Sequence, residues 1–273
     1  MAGEAAEALY VYCIGGRDAL AGALAADAPD AIEEGTNVSL IESSGLAAAA
    51  SLVPLSVYGE GALESKLSDA TWTATRALRH ERVVEHFARR TSVVPLRFGT
   101  IYLRRGSVEE MLARDGARLG ELLGRLEGRE EWGLNVYVER ARLKDEVVRV
   151  SARLREMAAR ADAASPGQGY LLRKKIDALR DEEARAETKR IASEIEARLG
   201  RASEGAARLR ALRDERAGPG ELAARFAFLV ARAGFDEFRA EAERLAEEHA
   251  PLGFSFELTG PLPPYNFVAG RAD

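Results

Sequence analysis

The chain has 273 residues, 47% of them apolar, but alanine alone supplies 50, so the larger side chains suit two modest cores rather than one large one. A formal charge of −5, with acidic residues interleaved among the basic ones, excludes a strongly basic nucleic-acid binder and a disordered chain; the longest nearly unbroken apolar stretch, Leu46 to Leu55, is too short to span a bilayer. The single cysteine, Cys13, excludes an internal disulfide and a thiolate zinc cluster, and no basic-then-apolar leader opens the chain, so a soluble, cytoplasmic protein is expected.

Leu9-Tyr10-Val11-Tyr12-Cys13-Ile14, stopped by Gly15-Gly16, predicts a first strand. Asp18 is expected to cap a short alanine-rich helix that ends before Pro29. Val38–Ile41 and Leu46–Val53 predict two strands joined by the turn Glu42–Gly45. A helix follows over about Ala70–Arg90, capped by Asp69, with Leu78, Val83, Val84 and Phe87 on its apolar face. Val93–Phe98 predicts a strand whose Pro95 marks either an edge or an irregular start. Strand, helix, two strands, helix, strand is the ferredoxin-like order, with both helices on one face of an antiparallel sheet.

Ser107 and Glu110 make a capping box before a helix carrying Met111, Leu112, Leu119, Leu122 and Leu126, expected to act as a connector. Leu134–Val138 alternates as a strand does. Val147, Val150, Leu154, Met157 and Ala161 step by three and four along a seam that Ser165-Pro166-Gly167-Gln168-Gly169 breaks; Leu172, Ile176, Leu179, Ile191, Ile195 and Leu199 then continue on a second helix. Together they predict an antiparallel helical hairpin. Strands at Ala206–Leu212 and Ala224–Ala231 around Gly218-Pro219-Gly220, a helix over Phe235–His249 and a strand at Phe254–Leu258 complete a second half in the same order. The expected fold class is thus α+β in two domains. Residues 1–105 form a small antiparallel βαββαβ sheet with helices, and 106–131 a connector helix. Residues 132–273 form a ferredoxin-like domain with a helical hairpin at about 145–200 and a Pro-rich tail at 259–269.

Chemistry-bearing motifs are sparse. His80 and His86 lie six apart, so they do not share a helix face as a zincin pair four apart would, and packing roles are expected for them. Neither common phosphate-cradling loop occurs, and no G-x-S-x-G elbow occurs. Gly167-Gln168-Gly169 ahead of Arg173, Lys174 and Lys175 reads as a flexible turn before a solvated basic patch rather than an anion site. The aromatic string of an RNA-recognition sheet is missing. No catalytic, cofactor-binding or metal residue is therefore assigned. Two strings remain. Val94-Pro95-Leu96-Arg97-Phe98-Gly99-Thr100 carries an arginine within an apolar run that, if buried, must be paired. Thr259-Gly260-Pro261-Leu262-Pro263-Pro264-Tyr265-Asn266-Phe267-Val268 predicts an extended tail offering Tyr265 and Phe267 as anchors, either to its own domain or to another chain.

Five strings in order resemble the gas vesicle accessory proteins of the F/L family: Leu9–Tyr12 followed by glycine, His80-Glu81-x-Val83-Val84-Glu85, Val94–Thr100, Gly167-x-Gly169-Tyr170-Leu171, and the closing Thr259-Gly260-Pro261-x-Pro263-Pro264-Tyr265-x-Phe267-Val268. Leu262 stands where the family more often carries Trp, and Gln168 where Lys is common. The resemblance implies a non-enzymatic, cofactor-free role in assembling gas vesicles, as a minor shell component or a chaperone, in the cytoplasm and associated with the vesicles. It implies as partners the small hydrophobic shell protein and other accessory proteins, not nucleic acid or lipid membrane. Candidate motif residues are Pro95, Arg97, Phe98, Gly99, Gly169, Tyr170, Gly260, Pro261, Pro263, Pro264, Tyr265 and Phe267. A small-ligand-binding enzyme and an RNA-binding ferredoxin-like protein are the alternatives.

Overall fold

The structure, a computed structural model, describes residues 6–210 and 220–268. Two compact units divide the chain: residues up to Glu130 together with those from Leu262 onward, and Glu131–Pro261.

The first unit is built on β1 (Glu7–Gly16), α1 (Arg17–Ala26), β2 (Ser39–Ser43) and β3 (Leu46–Pro54). These are followed by α2 (Leu55–Tyr58), α3 (Glu60–Leu67), α4 (Ala70–Ala88), β4 (Val93–Pro95), β5 (Ile101–Tyr102), α5 (Arg105–Arg114) and α6 (Gly116–Leu126). The strand order is β2-β3-β1-β4, with β5 also on β1, and every pairing is antiparallel. β1 and β2 therefore run the same way with β3 between them, and α1 makes the crossover, a split βαβ. The β2–β3 turn is Ser44-Gly45, both at positive φ (53° and 80°), as a two-residue hairpin turn requires. Asp69 caps α4 as expected, accepting the N–H groups of Thr71 and Trp72. Asp18 caps nothing; Gly16 holds the cap position of α1, and Asp18 pairs with Arg17.

The apolar face of α4 is His80, Val83, Val84 and Phe87, all buried, whereas Leu78 is 61% exposed. Two residues turn a helix by about 200°, which carries Leu78 to the opposite side from His80. This face and Leu20 of α1 cover Tyr10, Tyr12, Ala47, Ala49 and Val53 of the sheet. The alternate residues Val11, Ile14, Ala48 and Ala50 are equally buried, because α5 and α6 pack on the other side through Val108, Leu112 and Leu119. The segment expected to be a connector is thus a third layer of the first unit. It begins at Arg105 rather than at a Ser107 cap, and it breaks at Asp115 into two helices. A strand covered on both faces has no reason to alternate, which accounts for the alanine run of β3.

Between Val11 and Cys13 the β1 register slips by one, leaving Tyr12 as the extra residue of a bulge. Its buried hydroxyl accepts the Ile32 N–H (2.8 Å) and shares a hydrogen bond with Ser51 Oγ (2.7 Å). Tyr12→Phe strands both partners, and we expect a loss of about 1.5 kcal/mol in urea unfolding. A change within a few tenths would contradict this account of the bulge.

The second unit contains β6 (Arg129–Val138), α7 (Arg140–Val150), α8 (Ala152–Asp162), α9 (Pro166–Arg201), β7 (Gly205–Leu209), β8 (Glu221–Ala231), α10 (Phe235–His249) and β9 (Phe254–Leu262). Its strand order is β7-β8-β6-β9. Leu134, Val136 and Val138 of β6 and Phe226, Phe228 and Val230 of β8 meet Ile191, Ile195 and Leu199 of α9 and Phe238 and Leu245 of α10. The expected turn at Gly218-Pro219 and the end of the strand at 211–212 lie outside the described residues.

The hairpin is present with two differences. Its first arm is broken: Ser151 Oγ accepts the Leu154 N–H (3.2 Å), capping α8, and donates to Glu183 (2.7 Å). The break turns Val150 outward to 37% exposure, while Val147, Leu154 and Ala161, seven apart, keep the buried seam. The turn between the arms is Ala163–Ser165, and Pro166 opens α9, where a missing N–H costs nothing. Gly167–Gly169 are helical. At Gly169 a Cβ would stand 2.8 Å from the Ala161 carbonyl oxygen, so glycine is what lets the arms close there.

Candidate interaction site

The predicted strand Val93–Phe98 is interrupted after Pro95. Arg97 C=O accepts the Thr100 N–H (3.2 Å) and hydroxyl (2.7 Å), closing a turn in which Gly99 takes φ +83°. Ile101 then rejoins β1. The turn sends Arg97 outward, exposed, and Phe98 inward, its ring edge-on to Tyr10 (6.2 Å) and His80 (5.9 Å). Arg97 is therefore not the buried, paired arginine that its apolar neighbours allowed. Pro95 is buried on the edge strand, where its missing N–H leaves no ladder bond unmade.

The same turn anchors a chain of hydrogen bonds. Gly99 N–H donates to the Tyr10 hydroxyl (2.9 Å), which lies 3.0 Å from His80 Nδ1; His80 Nε2 lies 3.1 Å from the Tyr265 hydroxyl, which donates to Glu81 (3.1 Å). The imidazole thus has a tyrosine hydroxyl at each ring nitrogen, and the Leu96 carbonyl also faces it. Burial lowers the pKa of His80 to about 4, so it is neutral near pH 7. Burial also raises Tyr10, Tyr265 and Glu81. The Cys13 thiol, fully buried, is pushed up by desolvation, the opposite of what a nucleophile needs.

Tyr265 comes from α11 (Tyr265–Val268), which belongs to the first unit. The tail is extended only over Thr259–Leu262, the end of β9; Pro263 is buried, and the Pro263 and Pro264 carbonyls then accept the N–H groups of Tyr265 and Phe267. α11, the Arg97 turn and α6 surround a cavity of about 600 Å³. Its floor is apolar, from Ile14, Val94, Met111 and Leu119, and its rim carries Arg97, Arg114 and Arg118. Arg114 pairs with Asp115 (3.2 Å), whereas the guanidiniums of Arg97 and Arg118 have no hydrogen-bond or ion-pair partner among the described residues.

Of the motif residues, Pro95, Arg97, Phe98, Gly99 and Tyr265 thus come together. Half-buried Phe267 lies on α11 without a ring contact among the described residues. Gly169 and the exposed Tyr170 sit at the hairpin end of the second unit, and Gly260 packs on Trp132 in that unit's sheet, next to Pro261. Sequence spacing missed His80 and Tyr10 as network members, because their partners are tens of residues away. One cluster has the composition of a metal site: Glu194, Glu248 and His249 bring ligand atoms within 4.8 Å of one another. Arg198 already holds both carboxylates (3.3 and 2.7 Å), so a cation would have to displace it, and the set does not fit one. Among the described residues no helix is long and apolar enough to cross a membrane.

A two-unit α+β protein with a braced, apolar, basic-rimmed groove has the features of a protein that docks to other chains. The family model described as gas vesicle synthesis protein GvpL/GvpF matches residues 8–269, and the chain belongs to that family. Gas vesicle protein L of Streptomyces sp. (strain CB03234) is 29% identical over 238 residues, covering 86% of this chain and 84% of that relative. The crystal structure of GvpF from Anabaena sp. PCC7120 superposes with a TM-score of 0.65 at 15% identity, covering 97% of both chains. GvpF from Microcystis aeruginosa gives 0.59 at 17% identity, covering 96% of this chain and 99% of that one. Both likenesses are of fold.

Proposed function

We propose that this chain is a non-enzymatic assembly factor for gas vesicles that binds the small hydrophobic shell protein through the groove of its first unit, as a chaperone or a minor shell-associated component. Family membership supports the gas vesicle role. The observation that carries the finer reading is the meeting of the Arg97 turn, α6 and α11 around one apolar floor. A shell subunit must turn an apolar surface to the gas, and before assembly that surface needs cover. A groove whose walls are pinned by the Tyr10–His80–Tyr265 chain binds without first ordering itself, which lowers the entropic cost of association. Other accessory proteins are further partners on this reading, and the protein works in the cytoplasm at the vesicle.

The test is capture of the shell protein by the purified chain. Leu96→Asp with Val268→Asp, both half-buried groove residues, should lower capture about tenfold or more, and Arg97→Glu should lower it less. Wild-type capture by both variants would remove the groove from the proposal. Normal vesicles after deletion of the gene would remove an essential role in assembly.

A further inference from the structure

In the second unit the helical insertion is rooted beside a cavity of about 300 Å³ with an apolar floor that includes Leu143, Ala184 and Leu222. Five cations line it against two carboxylates, those of Asp181 and Glu221. Arg140 pairs with Glu221 (2.5 Å), Lys144 with Asp181 (2.8 Å), and Arg208 reaches Glu196 at 3.9 Å. Arg185 and Lys189 have no hydrogen-bond or ion-pair partner among the described residues. Their neighbours on α9 are matched: Arg180 lies beside Asp177, Arg190 holds Glu187 and Glu194, and Arg198 holds Glu194, Glu241 and Glu248. Asp181, one turn before Arg185, is within its electrostatic reach but is already bonded to Lys144, and Lys189 adds a second cation one turn after it. The excess of positive charge stands over an apolar floor, and an anionic guest with apolar side chains would match both.

We propose that this cleft binds an acidic peptide segment of a partner chain, its carboxylates on Arg185 and Lys189 and its apolar side chains on the Leu143–Ala184–Leu222 floor. Residues four apart on a helix rise about 6 Å, close to the roughly 6.6 Å between alternate side chains of an extended peptide. Alternate acids can therefore meet the two cations while the residues between them face the floor. A phosphate group alone would satisfy the cations and leave that floor wet. The site lies in the second unit and does not depend on the shell-binding reading of the first.

Fluorescence anisotropy of the full chain with a labelled peptide of alternating Glu and Leu tests it. Binding should saturate, weaken with added salt, and fall about tenfold or more in the Arg185→Glu, Lys189→Glu double variant. The same peptide with Gln for Glu should not bind, and Arg97→Glu in the first unit should bind as wild type. Arg185→Ala with Lys189→Ala, both exposed positions, should melt like wild type and still lose binding. Equal affinity for the Gln peptide, or indifference to the double changes, would overturn the proposal. Displacement of the peptide by inorganic phosphate at matched concentration would overturn it in favour of a phosphate ligand.

Discussion

Lowering the pH from 7 to 4 should destabilise the first unit by about 3 kcal/mol through His80 alone. The imidazole is buried between Tyr10 and Tyr265, beside the Tyr12 and Phe98 rings, and burial takes its pKa from 6.5 to about 4. The unfolded chain therefore binds a proton from about pH 6.5 downward while the folded unit refuses it until about pH 4. Stability is complete above 6.5 and is lost across that window, and the difference between the two values corresponds to about 3 kcal/mol. Glu81 works in the other direction, because burial raises its pKa and the folded state then takes its proton more readily. Its effect starts at the ordinary carboxylate value and runs upward into the same window, so the His80 contribution is read as the difference between wild type and the His80→Gln variant. Denaturant unfolding at a series of pH values should show the slope between 6.5 and 4.5, and His80→Gln, which retains a donor and an acceptor, should flatten it. A resonance of His80 titrating near 6.5 in the folded protein would show that the network is open to water.

Gly260→Ala should cost about 3 kcal/mol in the second unit. The residue sits at φ +151°, and an added Cβ would stand 2.7 Å and 2.8 Å from two indole carbons of Trp132 and 3.1 Å from the Glu131 carbonyl oxygen. The indole has no room to retreat, because its other face stacks on Phe235 with centroids 4.1 Å apart. Overpacking against a pinned ring and a φ that alanine resists add in the same direction. The chain has two tryptophans, Trp72 and Trp132, so a Trp72→Phe background confines the fluorescence signal to the second unit. A loss under 1 kcal/mol would mean that β9 slides away from Trp132 at little cost.

Much of the frame is legible in the residues. The aromatic β1, the Asp69 cap and the strand at Leu134–Val138 each report a local physical requirement and stand where they were expected, and the hairpin seam does so except at Val150. The third layer was not legible. Amphipathy shows that α5 and α6 bury one face, but not which surface receives it; only the missing alternation in β3 hinted at a sheet covered twice. α3 buries no side chain and so has no periodic signal. The break at Ser151 is a serine cap inside a seam whose apolar spacing runs straight through it, and its partner Glu183 is 32 residues away. The candidate site follows the same rule. The strings that form it stand out in the sequence, yet Tyr265 meets His80 across 185 residues, and no spacing rule reaches that far.

The 36-residue α9, about 54 Å long, is fastened at one end only to a large core. Ile191, Ile195 and Leu199 share the sheet core with three strands and α10, whereas Ile176 shares a cluster with Val147 and Leu154 as its other fully buried members. One continuous rod is thereby divided into two exchange regimes: amides near its C-terminal end open only when the unit unfolds, and those toward Pro166 open by local separation of the hairpin. The exposed Tyr170 and Leu171 ride on the weakly held end. A partner that grips them would stiffen the helix from its loose end towards its anchored one.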